Sequence, residues 1–165
     1  MTRTFDIDPQ LDLTMTRMVD VPKALIWKAW TQPEHLKKWF TPAPYQTIEC
    51  DIDLRPGGVF RTVMRSPEGV VTENIGCWLE IVTHEMLIWT DALGPGYRPA
   101  SHPNECFDHF FTAVVLFESH GDGTKYTVYA SHGNRAGRDA HESQGFHEGW
   151  GSALDQMVAM IHNEW

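Results

Sequence analysis

The sequence lacks the positive charge that would suggest nucleic acid or anionic lipid as a partner. Lys and Arg number 13 against 22 Asp and Glu, so the formal net charge is −9 with neutral histidines. An acidic surface of this kind repels phosphate backbones and acidic headgroups. We therefore expect no nucleic acid and no membrane as principal partners.

Long apolar segments are also missing. The most continuous run, residues 110–117, is far shorter than the roughly 20 apolar residues of a transmembrane helix. The first residues, Met1 to Asp6, contain no apolar core of a secretory signal. The chain is therefore expected to be cytoplasmic.

Cysteine is scarce as well. Cys50, Cys77 and Cys106 are odd in number and widely spaced, which is not the pattern of a disulfide framework or a zinc knuckle. Cys106 with His109 could supply a nucleophile and its base. Because no oxyanion-hole motif accompanies the pair, an ordinary loop cysteine is the favoured interpretation.

Aromatic residues, in contrast, are abundant. Seven Trp and eight Phe in 165 residues require a bulky core, a lined cavity, or both, and composition alone does not separate these alternatives. The length suits one domain over residues 1–165, with a core from about residue 11 to residue 162.

The order of patterns along the chain predicts the fold. Residues 11–15 alternate as a half-buried strand does. Asp20 is expected to cap a short helix with Pro22 in its first turn, and residues 31–34 have the capping-box spacing for a second helix. Strands are then predicted over residues 47–54, 59–64, 70–75, 77–82, 86–90, 110–118 and 125–131. Residues 92–108, rich in Pro and Gly, are predicted to form an irregular loop that acts as a lid.

The C-terminal segment has the helical period. Its apolar face consists of Phe146, Trp150, Leu154, Met157, Val158 and Ile161. Asp139 or Ser143 is expected to cap this helix. The predicted fold class is therefore α+β: a curved antiparallel sheet wrapped around a long C-terminal helix, with two short helices after the first strand. Curvature of such a sheet leaves a space beneath the helix.

The chain resembles the START-like (SRPBCC) superfamily with its helix-grip fold. Within it, the chain is similar to bacterial homologues of the C-terminal domain of the heat-shock-chaperone ATPase activator. The matching segments are residues 21–34 (VPKALIWKAWTQPE), 36–42, 53–58 (DLRPGG) with Phe60, Arg61 and Met64, Gly69, 79–81, 85–90 (EMLIWT), 123–124, and 149–150 with Leu154. The resemblance implies a hydrophobic cavity between sheet and helix, with no fixed catalytic set. No cofactor is expected.

A set of bulky side chains forms the candidate ligand-binding site. Its members are Phe60, Met64, Trp78, Trp89, Phe110, Phe146, Trp150 and Leu154. Plain core packing is the alternative for the same set. Trp150, between Gly149 and Gly151, is the strongest candidate and could gate the pocket. Alternatively, Gly149 simply makes room for a neighbouring strand.

Other polar residues have two interpretations each. His132, His141 and His147 could meet near the start of the long helix, but their spacing is not that of a metal motif. We therefore predict no metal site, and solvated or capping histidines.

A buried carboxylate in the cavity could act as a general acid or base. One or two strand charges are expected to enter the cavity while the rest face solvent, and the candidates are Arg61, Arg65, Glu73, Glu80 and Glu118.

Three functions follow from these observations. The favoured one is binding of a small apolar or aromatic molecule in the cavity. The second is an enzyme of the cyclase, dehydratase or hydrolase type using the same cavity, so the question of catalysis stays open. The third is a chaperone ATPase co-factor, which needs an exposed patch. Self-association into a homodimer is also open, and Trp165 at the C-terminus is expected to be either frayed or buried by a partner.

Overall fold

Alternating strand patterns place most of the chain in one antiparallel sheet. The computed structural model describes residues 3–104 and 109–165. Its strands are β1 (Asp12–Val19), β2 (Gln46–Ile52), β3 (Val59–Arg65), β4 (Val71–Val82), β5 (Met86–Thr90), β6 (Leu93–Gly94), β7 (Arg98–Pro99), β8 (Phe111–His120) and β9 (Gly123–His132). The seven longer strands pair in the order β1-β9-β8-β5-β4-β3-β2, and β6 and β7 form a separate short ribbon.

Helices cover one face of this sheet. They are α1 (Lys23–Thr31), α2 (Pro33–Trp39), α3 (Arg135–Ser143) and α4 (Phe146–Glu164). One continuous core joins the inner face of the sheet to α1, α2 and α4. Leu154, Met157 and Ile161 of the predicted apolar face are buried in that core. The helix-grip architecture, with a curved sheet and a long C-terminal helix, is thus confirmed.

Neither predicted cap of the two short helices is present. Pro22, not Asp20, is the N-terminal flanking residue of α1, and Asp20 instead accepts a hydrogen bond from His162 of α4 at 2.9 Å. Because α1 continues through Thr31, that residue cannot cap α2. Its hydroxyl donates to the Trp27 carbonyl at 2.8 Å, and Gln32 precedes α2.

One predicted break in the sheet is absent. The two strands expected over residues 70–82 are a single strand, β4, which passes through Gly76. A Cβ added at Gly76 would lie 2.7 Å from the Thr90 carbonyl oxygen. The glycine is therefore there because β5 approaches closely, not because the strand ends.

Helix α3 was not predicted, and its presence moves the start of α4. Asn134 caps α3 by accepting the Gly137 N–H at 2.8 Å. Asp139 and Ser143 lie inside α3, so neither caps α4. Gly145 precedes α4 with φ of 95°, a left-handed conformation that favours glycine. Helix α3 buries only His141, so it has no apolar period for sequence reading to detect.

Two further apolar areas are partly covered by residues near the chain ends. The outer face of the sheet has a small apolar cluster, against which Phe5 packs. Trp165 is half-buried, edge-on to His35 at 4.5 Å and beneath the Lys28 ammonium at 4.2 Å. It is therefore packed against the chain rather than frayed, and a partner at this residue stays a prediction. None of the helices in the described part of the chain has the length and apolar character that crossing a bilayer requires.

Candidate functional site

An apolar pocket lies where the start of α4 crosses the inner face of β3, β4 and β5. Its volume is about 270 Å³, near the lower end of the range for small-molecule sites. The segment after α2 forms one edge, and the junction of α3 with α4 forms another. A space therefore lies between the sheet and the start of α4, and its use as a ligand cavity stays a prediction.

Eight aromatic side chains form a closed ring around this pocket. Neighbouring ring centroids are 4.7–6.4 Å apart, within the range of favourable aromatic pairs. In order around the ring they are Trp30, Phe40, Phe60, Trp89, Phe111, His141, Phe146 and Trp150. All except Trp30 line the pocket directly. Seven elements or connections contribute to this ring, which is why no local pattern reveals it.

Most of the predicted site residues lie in the pocket wall. Phe60, Met64, Trp89, Phe146 and Trp150 line it. Their role in ligand binding stays a prediction.

Three predicted site residues do not line the pocket. Trp78 is fully buried behind Phe60, with the two rings stacked 4.6 Å apart. Leu154 is 1% exposed in the core one turn beyond Trp150. Phe110 is outside the wall, and its neighbour Phe111 lines the pocket instead, since successive strand residues face opposite sides.

Asp91 is the buried carboxylate of this pocket. It follows β5 and is 4% exposed, and its Oδ1 accepts the Phe111 N–H at 2.9 Å. Burial raises the pKa of Asp91 from 3.8 to about 6, although the bonds from Phe111 and Asn104 favour the ionised form. Sequence reasoning missed Asp91, whose only local signal is its position at the end of a fully buried strand.

The strand charges considered from the sequence do not line the pocket. Arg61 binds Glu73 at 2.6 Å and Asp51 at 2.8 Å. Glu80 pairs with Arg3 at the surface, and Arg65 donates to an exposed Gln46. Glu118 is outside the pocket wall as well. The expectation that one or two of the five charged residues enter the cavity is therefore wrong. The charged residue that lines the pocket is Asp91.

Two further wall residues contribute buried polar atoms. Asn74 Oδ1 and Trp89 Nε1 have no hydrogen-bond partner among the residues that the structure describes. Burying such a group without a partner costs free energy, on the order of 1–3 kcal/mol. Both residues line the pocket, and both of these atoms are buried beneath its surface.

Three histidines meet beside the pocket. His109, His132 and His141 are 7%, 7% and 4% exposed, so the prediction of solvated or capping histidines is wrong for His132 and His141. Burial lowers the pKa of His132. Burial and the two neighbouring rings lower the pKa of His141 to about 3. His147 lies apart on the surface, 3.4 Å from Glu142.

The described part of the predicted lid, residues 92–104, contains regular structure. Within residues 92–104, β6 and β7 flank a short 3-10 turn, Pro95–Tyr97, and Tyr97 packs over Gly57. Asn104 accepts the Ile75 N–H at 3.2 Å and lines the pocket. This segment is therefore attached to β4 at the pocket, while a lid role stays a prediction.

The cysteines supply no nucleophile in the described residues. Burial raises the pKa of the Cys50 thiol to about 12, and Cys77 is buried and free. Cys106 lies outside the described residues, so the Cys106–His109 pair stays a prediction.

Gln156 of α4 holds the pocket edge after α2. Its amide nitrogen donates to the carbonyls of Trp39 and Thr41 at 3.0 and 2.9 Å. Its amide oxygen accepts the Ala43 N–H at 2.8 Å. Thr41, at the pocket rim, has a φ of 96°, a strained conformation that persists only where the surroundings enforce it. Gln156 therefore positions this edge.

Comparison with known proteins agrees with this architecture. Residues 20–162 match the family described as Activator of Hsp90 ATPase homolog 1-like protein. The chain belongs to this family. A crystal structure of a protein from Nitrosomonas europaea is 44% identical, with a TM-score of 0.90, and the match covers 96% of this chain and 98% of that one.

More distant structures share the fold. A Mycobacterium smegmatis protein is 25% identical with a TM-score of 0.72, over 92% of this chain and 91% of that one. A Rhodobacter sphaeroides protein is 18% identical with a TM-score of 0.81, over 97% and 98%. No curated protein matches the chain. Membership supports a role in ligand binding or as a co-factor in general terms, and a narrower function has to be argued from the pocket.

Proposed function

We propose that the protein binds a small, mainly aromatic molecule in the pocket between the sheet and α4. The closed aromatic ring is the observation that carries this proposal. Aromatic side chains in a pocket wall favour flat aromatic ligands. A ligand ring can stack on the face of a wall ring or contact its edge at the centroid distances that aromatic pairs prefer. The volume of about 270 Å³ limits the ligand to a small molecule.

The polar atoms of the wall specify a further property of the ligand. Asn74, Trp89 and Asp91 each place a polar side chain among the mainly apolar residues that line the pocket. Ligand sites of this class use a few such groups to fix orientation. The preferred ligand therefore carries one polar group on an aromatic body.

Dye binding tests the pocket. Anilinonaphthalene sulfonate is titrated into the wild-type protein, a Trp150→Ala variant and a Trp165→Ala control, with urea unfolding measured for each. Trp165 is a matched control because the same side chain is removed outside the pocket wall. We expect Trp150→Ala to weaken dye binding at least about tenfold, or about 1.4 kcal/mol, while the control binds like wild type. Equal affinity in a folded Trp150→Ala protein would overturn the proposal.

Native and denaturing mass spectrometry would identify the natural ligand. The protein is purified without added ligand, and a reproducible extra mass that is lost on denaturation marks the bound molecule. The same spectrum reports whether the chain is a monomer or the homodimer left open by the sequence.

Asp91 favours an enzyme as the second candidate. A carboxyl group with a pKa of about 6 can donate or accept a proton near neutral pH, and it lies in the wall of the proposed site. Turnover of an aromatic ester such as 4-nitrophenyl acetate tests the hydrolase form of this idea. Activity that Asp91→Asn removes without changing dye affinity would support it, and activity equal in both proteins would refute it.

A chaperone co-factor is the third candidate and rests on the family description. The test adds the protein to a bacterial Hsp90-type chaperone and measures the rate of ATP hydrolysis. An unchanged rate at saturating protein would exclude this function.

A further inference from the structure

Three buried imidazoles converge from separate parts of the chain. His109 precedes β8, His132 ends β9, and His141 lies in α3. One ring nitrogen of each lies within 4.8 Å of those of the other two. Clustering three polar rings in the interior is unfavourable unless their nitrogens are satisfied together. A cation shared by the three nitrogens satisfies that requirement.

The hydrogen bonding of His132 orients it as a metal ligand. Its Nδ1 lies 2.8 Å from the Leu11 carbonyl oxygen. A carbonyl only accepts, so Nδ1 carries the hydrogen and Nε2 directs its lone pair towards His141 Nδ1, 2.9 Å away. Metal-binding histidines almost always donate their other ring N–H to a carbonyl, a carboxylate or water. The Leu11 carbonyl therefore supplies the partner that a metal-binding imidazole needs.

The spacing of the nitrogens suits a small tetrahedral ion. Zn–N bonds of about 2.0–2.1 Å give ligand nitrogens about 3.3 Å apart in a tetrahedron. The observed separations extend from 2.9 Å for one pair to no more than 4.8 Å for the set. Modest side-chain rotations about a shared centre bring all three to that distance.

Close packing of α3 against His109 places His141 beside the His109 ring. Gly137 and His141 are four residues apart and so lie on the same side of the helix. A Cβ added at Gly137 would lie 3.2 Å from His109 Cβ. The missing side chain lets α3 approach His109 closely, and His141 consequently lies 4.9 Å from the His109 ring.

We propose that His109, His132 and His141 form a binding site for a divalent transition metal, with Zn²⁺ as the best match. Three imidazoles are typical ligands of such ions. Three protein ligands leave a fourth coordination position for water or another molecule. Because His141 also lines the pocket, a bound ion lies at the pocket wall. This inference revises the sequence-based expectation of no metal, and it does not depend on what the pocket binds.

Zinc titration tests the proposal directly. Tag-free protein is stripped with chelator and titrated with Zn²⁺ in a calorimeter, since a polyhistidine tag would bind the metal itself. We expect one ion per chain. Replacing a ligand in His141→Gln or His132→Gln should weaken affinity by more than the roughly 10- to 100-fold lost with an outer hydrogen-bond partner. His147→Gln is the matched control, because His147 is exposed and outside the cluster, and it should bind like wild type.

Cobalt binding is measured on the wild-type protein alone, so the result does not depend on whether a variant folds. Co²⁺ bound by wild-type protein at a three-imidazole, four-coordinate site should show the intense visible absorption of tetrahedral cobalt at one equivalent. Absence of saturable Zn²⁺ binding and of the cobalt spectrum would overturn the proposal, leaving the cluster as a hydrogen-bonded imidazole network. Equal Zn²⁺ binding by wild type and the folded cluster variants would also overturn it, because the ion would then be held by surface histidines.

Discussion

Replacing Asp91 with asparagine should change how stability depends on pH. In the wild-type protein, burial raises the pKa of the Asp91 carboxyl from 3.8 to about 6. Between these pH values the folded chain holds a proton that the unfolded chain has released. The free energy of unfolding therefore decreases as pH rises through this window. Stability from the protonated form is fully present below about pH 4 and is lost above about pH 6.

The size of the effect follows from the shift. A difference of roughly two pKa units, at 1.36 kcal/mol each, corresponds to about 3 kcal/mol. The amide introduced by Asp91→Asn would keep an oxygen to accept the Phe111 N–H that Asp91 accepts at 2.9 Å, yet it does not ionise. The stability of Asp91→Asn relative to wild type should therefore rise by about 3 kcal/mol between about pH 4 and pH 7.

Urea unfolding followed by tryptophan fluorescence measures this difference at several pH values. Seven Trp residues provide the signal, and contributions from all other titrating groups are shared by the two proteins and cancel. Asp122→Asn, in the exposed turn between β8 and β9, controls for removing one negative charge from an acidic chain. A relative stability of Asp91→Asn that is the same at every pH would refute the argument from burial.

Three other substitutions test packing and positioning around the pocket. Gly149→Ala should raise the free energy of unfolding by about 1 kcal/mol, because alanine favours the helix more than glycine does, and the melting temperature by about 2–4 °C. The new Cβ would lie an ordinary 3.8 Å from Pro42. A lower melting temperature would contradict this prediction. Gln156→Leu should lower the free energy of unfolding by about 1–3 kcal/mol, since it removes three hydrogen bonds to the segment after α2; an unchanged urea midpoint would show that this contact is dispensable. Tyr126→Phe should cost about 1–3 kcal/mol, because the hydroxyl accepts the buried Trp30 N–H at 3.0 Å; thermal unfolding measures this loss, and an equal melting temperature would contradict it.

Local patterns were enough to predict most of the elements. The pattern that predicted residues 86–90 as a strand matches β5 (Met86–Thr90), because that segment is apolar and bounded by turns. The spacing of Leu154, Met157 and Ile161 predicted the buried face of α4. The predicted helix caps at Asp20 and Thr31 were wrong, since other residues occupy those positions once α1 packs against the sheet.

Candidate pocket residues were predictable only in part. Phe60 and Trp150 are large and apolar, so composition and resemblance singled them out, and both line the pocket. Asp91 was missed because its significance depends on burial and on a hydrogen bond from a residue 20 positions away. Trp78 was assigned to the site as a bulky aromatic residue, and the sequence does not show that the Phe60 ring stacks against it.

The sequence alone determined the acidic character and the α+β order of elements, because these depend on composition and on periods of a few residues, and the family resemblance added the helix-grip fold. The tertiary structure decided which side chains meet. His109, His132 and His141 come from three separate elements, and no spacing along the chain signals their convergence. Long-range strand pairing and the docking of α3 bring them together. The aromatic ring around the pocket is closed in the same way, by contacts between residues far apart in sequence.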